Sequence, residues 1–104
     1  MKTQLISIEP GIENLQFQIV ILVGTDKYRF TMTVETFRVG DRQIEGVRGD
    51  EDFLNFFKFN QNLGLEIYKL VLNTYNGQIV PLPIDIGNFD LEELRLHSAA
   101  IVSQ

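Results

Sequence analysis

A long stretch of residues, from Leu15 to Phe37, alternates between apolar and polar side chains and is interrupted at Gly24. Because successive side chains of a strand point to opposite faces, alternation predicts two strands, each with a buried face. Residues Gly24 to Asp26 supply a short loop, so the two strands are predicted to form an antiparallel hairpin. The predicted buried positions are Leu15, Phe17, Ile19, Ile21 and Val23, followed by Tyr28, Phe30, Met32 and Val34.

Two further strands are predicted on either side of this hairpin. The segment from Gln4 to Ile8 alternates and stops at the turn residues Pro10 and Gly11. The segment from Arg42 to Val47 follows another turn signal, and we expect Ile44 to be its core residue and Gly46 a site for a bulge.

A fifth strand is predicted from the alternation between Ile79 and Ile86. Pro81 and Pro83 lie two residues apart, so their missing N–H groups fall on the same side of the strand. The segment is therefore predicted to be an edge strand that pairs through its other side.

The residues between the fourth and fifth strands have a helical pattern. Asp50 is a suitable N-cap, and the acids after it favour a helix N-terminus. The apolar side chains that follow share one helical face, apart from Phe59, which lies outside that arc. Gly64 is expected to break or bend the helical path, which is predicted to end at Asn76 and Gly77. The residues on the apolar face are Phe53, Leu54, Phe56 and Phe57.

The last segment begins with Asp90 and Glu93, which resemble a capping box, and it predicts a short C-terminal helix. Together these elements predict an α+β fold in one globular domain, residues 1–104. Its antiparallel, meander-like sheet is expected to have four to five strands and to be covered on one face by the helical region 51–76.

The charge distribution restricts the classes of partner. The net charge is −5, and residues 1–49 carry six basic and six acidic side chains, interspersed along the predicted sheet. A nucleic-acid-binding protein needs a concentrated basic face, so no nucleic-acid partner is expected. No apolar run is long enough to span a membrane, and the chain has no cysteine, which fits a reducing compartment. We therefore expect a soluble, acidic, cytoplasmic protein.

The sequence offers little for catalysis. His97 is the only histidine, so a histidine metal cluster cannot form within one chain, and a Ser–His–acid triad would depend on it alone. The acidic groups at 50–52 and 85–93 lack the spacing of a calcium loop, and helix-start acids explain them more simply. No glycine-rich phosphate loop is present. We expect no catalytic residue, cofactor or metal, and the protein is not predicted to be an enzyme.

Surplus apolar surface is the remaining functional signal. Four phenylalanines lie within the seven residues 53–59, more aromatic surface than one face of a short helix buries. We therefore expect a small interaction or accessory module that binds a protein partner or itself, through Phe56 and Phe59 or through the edge strand around Leu82. The alternative is a small-molecule-binding domain whose pocket lies between sheet and helices. The residues expected to line that pocket are Tyr28, Phe30, Met32 and Tyr68.

Overall fold

The computed structural model describes residues 1–90, which form an antiparallel sheet and two helices. In chain order the elements are β1 Lys2–Pro10, β2 Gln16–Val23, β3 Asp26–Val39, β4 Arg42–Gly49, α1 Glu51–Phe56, α2 Gln61–Tyr75 and β5 Ile84–Asn88. The sheet has five strands in the order β4-β3-β2-β1-β5. The first four strands follow one another as a meander, and β5 returns beside β1. The predicted α+β class and meander-like antiparallel sheet are confirmed.

A bulge in β1 changes which of its residues face the core. Leu5 pairs with Ile21, but the next partners are Ser7 and Val20, so Ile6 is an extra residue in the ladder. After the bulge Ile8 pairs with Ile19, so Leu5 and Ile8 share a face although they are three positions apart. Simple alternation, which places Ile6 and Ile8 together, is wrong at this point.

The core joins the sheet to both helices. Its strand residues come from β1, β2 and β3, and its helix residues include Phe53 of α1 and Ile67 of α2. The fully buried side chains are Thr3, Leu5, Ile19, Ile21, Met32, Phe53, Ile67, Val71 and Phe89. Burial of this apolar surface is the main contribution to the stability of the fold.

The helical region is divided at a different place from the one predicted. Helix α1 ends at Phe56, the chain turns through residues 57–60, and α2 begins at Gln61. Gly64 is a buried residue inside α2, so the prediction that it breaks the helix is wrong. The turn is held instead by Asn60, whose side chain bonds the backbone of Asp90. The predicted caps are confirmed at Asp50, and at the C-terminal end by Gly77 with a φ of 83°.

The far end of the β3–β4 hairpin extends beyond the core. Residues 36–45 are all exposed, and Ile44, predicted as a core residue, is 47% exposed. The β3–β4 register is continuous through Gly46, so no bulge lies there. Gly46 has another role, because the ring of Phe37 lies where a side chain at position 46 would be.

Strand β5 lies at the edge of the sheet, as predicted, but it is shorter than predicted. Pro81 and Pro83 precede its first residue, Ile84, and the Leu82–Pro83 peptide bond is cis. The predicted C-terminal helix lies outside the described residues. Within residues 1–90, neither helix has the length and apolar character needed to cross a membrane.

Candidate functional site

An apolar groove lies between α1 and α2. Its floor includes Phe53 and Phe57, which are 2% and 3% exposed and whose ring centroids are 4.7 Å apart. Phe53 also meets the ring of Phe30 edge-on at 5.5 Å, which fixes the floor against β3. Aromatic pairs at these separations favour tilted or edge-on geometry. The floor is therefore continuous with the core.

Gly64 keeps the groove open on the α2 side. A β-carbon at this position would lie 3.5 Å from the β-carbon of Phe57 and 3.7 Å from the ring of Phe53, which is ordinary van der Waals contact. The site therefore tolerates a methyl group, but a larger side chain would occupy the groove. Glycine in a helix interior is unfavourable relative to alanine, so the space it leaves is obtained at a cost in stability.

The rim of the groove carries two exposed leucines. Leu54 of α1 is 51% exposed and Leu65 of α2 is 63% exposed. Lys58 and Gln61 complete the rim, and the groove has a volume of about 280 Å³. The arrangement is an aromatic floor, two apolar walls and a single charged group among the lining residues.

Tyr68 connects the groove to the sheet. Its ring lies 5.2 Å from that of Phe53, and its hydroxyl accepts the backbone N–H of Gly49 at 3.3 Å. The apolar part of the side chain thus lines the groove while its polar end satisfies a backbone donor at the end of β4.

The three predicted interaction residues lie in different surroundings, and none of them lines the groove. Phe56 is half-buried, with its ring stacked on Phe89 at 4.7 Å. Phe59 is half-buried beside a more polar depression, with the Lys58 Nζ 5.5 Å from its ring centroid. Leu82 is half-buried and packs against the core.

The predicted ligand pocket is occupied by side chains at its centre. Phe30 and Met32 are 5% and 0% exposed. The ring of Phe30 lies within 5.5 to 6.0 Å of three phenylalanine rings of the helical region, so the space between sheet and helices is filled here. Of the four residues predicted to line that pocket, Tyr68 lines the groove instead.

The sequence analysis did not single out Leu54 and Leu65 as surface residues. Leu54 falls within the apolar arc of its helix, so periodicity assigns it to the core. For Leu65, the signal that could indicate exposure is the helical pattern of residues 65–75, which is apolar around most of its circumference. More apolar side chains than one sheet face can bury indicate that some of them face solvent.

Asp50, the acidic residue that precedes α1, has a structural role. Oδ1 of Asp50 accepts the N–H of Phe53 and Oδ2 accepts the N–H of Thr31, both at 2.8 Å. Within residues 1–90, no three acidic or histidine side chains come together as metal ligands. His97 lies outside the described part of the chain.

A comparison with known protein families finds no model that matches the chain, and a search of curated proteins finds no significant sequence match.

Proposed function

We propose that this protein is a small, non-enzymatic interaction module that binds a partner protein in the groove between α1 and α2. The observation that carries the proposal is the exposure of Leu54 and Leu65 on opposite helices, above a floor of buried aromatic rings. Exposed apolar side chains around a preformed concave surface are typical of protein-contact sites. We also propose that the two helices cover the core-facing side of the sheet, and that the module acts in the cytoplasm.

The lining residues indicate the chemistry of the partner. The floor and walls favour one or two apolar side chains, such as those on one face of an amphipathic helix. Lys58 is the charged lining group, so a carboxylate next to the apolar anchor would complement it. We therefore propose a partner segment with a leucine- or phenylalanine-type anchor and a neighbouring acidic residue.

A small-molecule ligand is the second proposal, and the groove rather than the core would hold it. Its volume of about 280 Å³ is at the lower end of the range for ligand pockets. Its open shape and its exposed leucine walls favour a protein side chain over an enclosed metabolite.

The test is an affinity-enrichment experiment with four baits: the wild-type protein, Leu65→Glu, Lys58→Glu and Ile79→Glu. Ile79 is 94% exposed and does not line the groove, so its substitution is a matched control for adding a carboxylate to an exposed apolar position. Removing a buried leucine contact and placing a charge there costs about 2 kcal/mol or more, which is at least about tenfold in affinity.

We expect the wild type and Ile79→Glu to retain proteins that Leu65→Glu loses. Lys58→Glu should lose the same proteins. Retention by all four folded baits would contradict the groove as the binding surface. If no recovered protein differs among the baits, a thermal-shift screen against metabolites tests the second proposal, that the groove binds a small molecule. A ligand at 100 times its dissociation constant adds about 2.7 kcal/mol of stability.

A further inference from the structure

Strand β4 leaves one side of the sheet open. It is an outer strand of eight residues, and within residues 1–90 no strand pairs with its free side. The opposite edge, β5, is five residues long and follows Pro81 and Pro83. An unprotected edge strand is a template for pairing with another chain, and β4 has no proline to prevent this.

The hydrogen bonds at the end of β4 show which of its backbone groups face outward. The N–H of Asp50 donates to the carbonyl of Thr31 on β3, whereas the N–H of Gly49 donates away from β3, to the Tyr68 hydroxyl. Because these directions alternate along an antiparallel strand, the remaining odd positions of β4 also direct their N–H and C=O groups outward. Those positions are Gln43, Glu45 and Val47. Tyr68 therefore closes the edge at Gly49, and within residues 1–90 no strand or side chain bonds the outward groups of the other three positions.

Apolar side chains lie beside this open edge. Phe37 pairs with Ile44 across the hairpin, on the side of the sheet opposite the core-facing residues Met32 and Val34. Phe37 is 45% exposed and Ile44 is 47% exposed, with Val39 on the same side at 60%. None of these residues lines the groove, because they belong to the extended hairpin rather than to the helices.

We propose that two copies of this chain associate through β4, as antiparallel neighbours in one continuous sheet, with the two-fold axis at Ile44. In this register Ile44 lies opposite Ile44 of the second copy, so the apolar row runs from one Phe37 to the other. Gln43 lies opposite Glu45 of the second copy, and their outward backbone groups pair. The association uses a different surface from the groove and does not depend on the function proposed for it.

Charge complementarity selects this register. Arg42 lies opposite Gly46 of the second copy, whose partner across the hairpin is Glu35, so an arginine crosses the interface toward a glutamate. Glu35 is paired with Arg48 at 3.0 Å in the single chain, so the arginine of the second copy would extend an existing ion pair. No like charges are opposed in this arrangement.

The registers displaced toward Gly49 are less favourable. Opposed residues must share a face, so the axis can move only by whole residues. With the axis at Glu45, Glu45 lies opposite Glu45 of the second copy, and Arg42 lies opposite Arg48 of the second copy. Both are like-charge pairs, which are destabilising. An axis at Gly46 requires pairing at Gly49, whose N–H already donates to Tyr68.

Sedimentation velocity of the full chain, with two variants at one position, tests the proposal. Glu45→Pro removes an outward N–H while leaving the β3 ladder intact, and Glu45→Ala changes the side chain but keeps that N–H. We expect wild type and Glu45→Ala to dimerise at about 100 µM protein, and Glu45→Pro to weaken the dimer by at least about tenfold. A monomeric wild type, or a Glu45→Pro variant that dimerises like wild type, would overturn the proposal.

A second experiment does not depend on the proline variant folding. The chain has no cysteine, so Ile44→Cys and Ile79→Cys each introduce one thiol. Under mild oxidation Ile44→Cys is expected to form a disulfide-linked dimer at least about tenfold faster than Ile79→Cys, because opposed side chains on the two-fold axis are within disulfide reach. Equal rates for the two variants would contradict the register centred on Ile44.

Discussion

The carboxylate of Asp50 accepts the backbone N–H of Thr31 at 2.8 Å, and its other oxygen accepts the N–H of Phe53 at the same distance. One side chain thus begins α1 and attaches that beginning to the central part of β3. Phe53, which is in the floor of the groove, is placed by this attachment. The position of the proposed binding surface therefore depends on a residue whose own role is structural.

Replacing Asp50 by alanine should lower the free energy of unfolding by about 2–3 kcal/mol, because it removes an N-cap and a second charge-assisted hydrogen bond. Asp50→Asn should lose about 1 kcal/mol less, since the amide oxygen can still cap α1. Urea denaturation followed by circular dichroism measures both losses. An alanine variant as stable as the wild type would show that neither bond contributes.

Gly49 and Gly46 should respond differently to alanine. A β-carbon at Gly49 would collide with the ring of Phe53, which is buried and cannot move aside. We expect Gly49→Ala to cost about 2–4 kcal/mol. At Gly46 the neighbouring atom belongs to the exposed ring of Phe37, so Gly46→Ala should cost less than about 1 kcal/mol. Thermal unfolding of the two variants gives the comparison, and similar losses would contradict the packing described.

Alternation and turn signals predict most of the sheet, because one buried face per strand leaves a clear pattern in β2 and β3. They fail at Ile6, where a bulge reverses the faces of β1, since a bulge is set by pairing with other strands rather than by local sequence. They also fail at Ile44, because a hairpin that extends beyond the core retains its alternation without being buried.

The candidate site was less predictable than the sheet. Helical periodicity assigns Leu54 and Phe53 to one apolar arc, but Phe53 is buried and Leu54 is exposed, because α1 ends at Phe56 and packs only one side of that arc on the core. The turn that follows α1 contains Asn60, which bonds Asp90, thirty residues away in the sequence. A groove between two helices is a tertiary feature, and no local pattern specifies the space between them.

Gly64→Ala should stabilise the protein. The added methyl group fits at ordinary contact distances, and alanine is favoured over glycine in a helix by about 0.5–1 kcal/mol. Gly64→Leu should instead occupy the groove and weaken partner binding, while leaving the exposed leucines unchanged. Chemical denaturation of the alanine variant checks the first effect, and a loss of stability would mean that α2 packs more tightly on α1 than the structure shows.

Asn60 should be sensitive to substitution although it precedes a helix that its side chain does not cap. It is 8% exposed, and its Oδ1 accepts the N–H of Asp90 at 2.8 Å. Asn60→Ala removes that hydrogen bond and should cost about 1–3 kcal/mol. Asn60→Asp keeps an acceptor and should cost less. The order of the two midpoints in urea distinguishes a hydrogen-bonding role from simple packing.

Site-specific photo-crosslinking at Leu65 tests directly whether the groove binds a protein partner. A benzophenone side chain at position 65 is compared with the same group at Ile79, each with and without Lys58→Glu. We expect a defined protein to be crosslinked from position 65 and not from position 79, with at least about a tenfold loss of crosslinking when the charge of Lys58 is reversed. The same crosslinks from both positions, with no effect of Lys58, would contradict the groove as a binding surface.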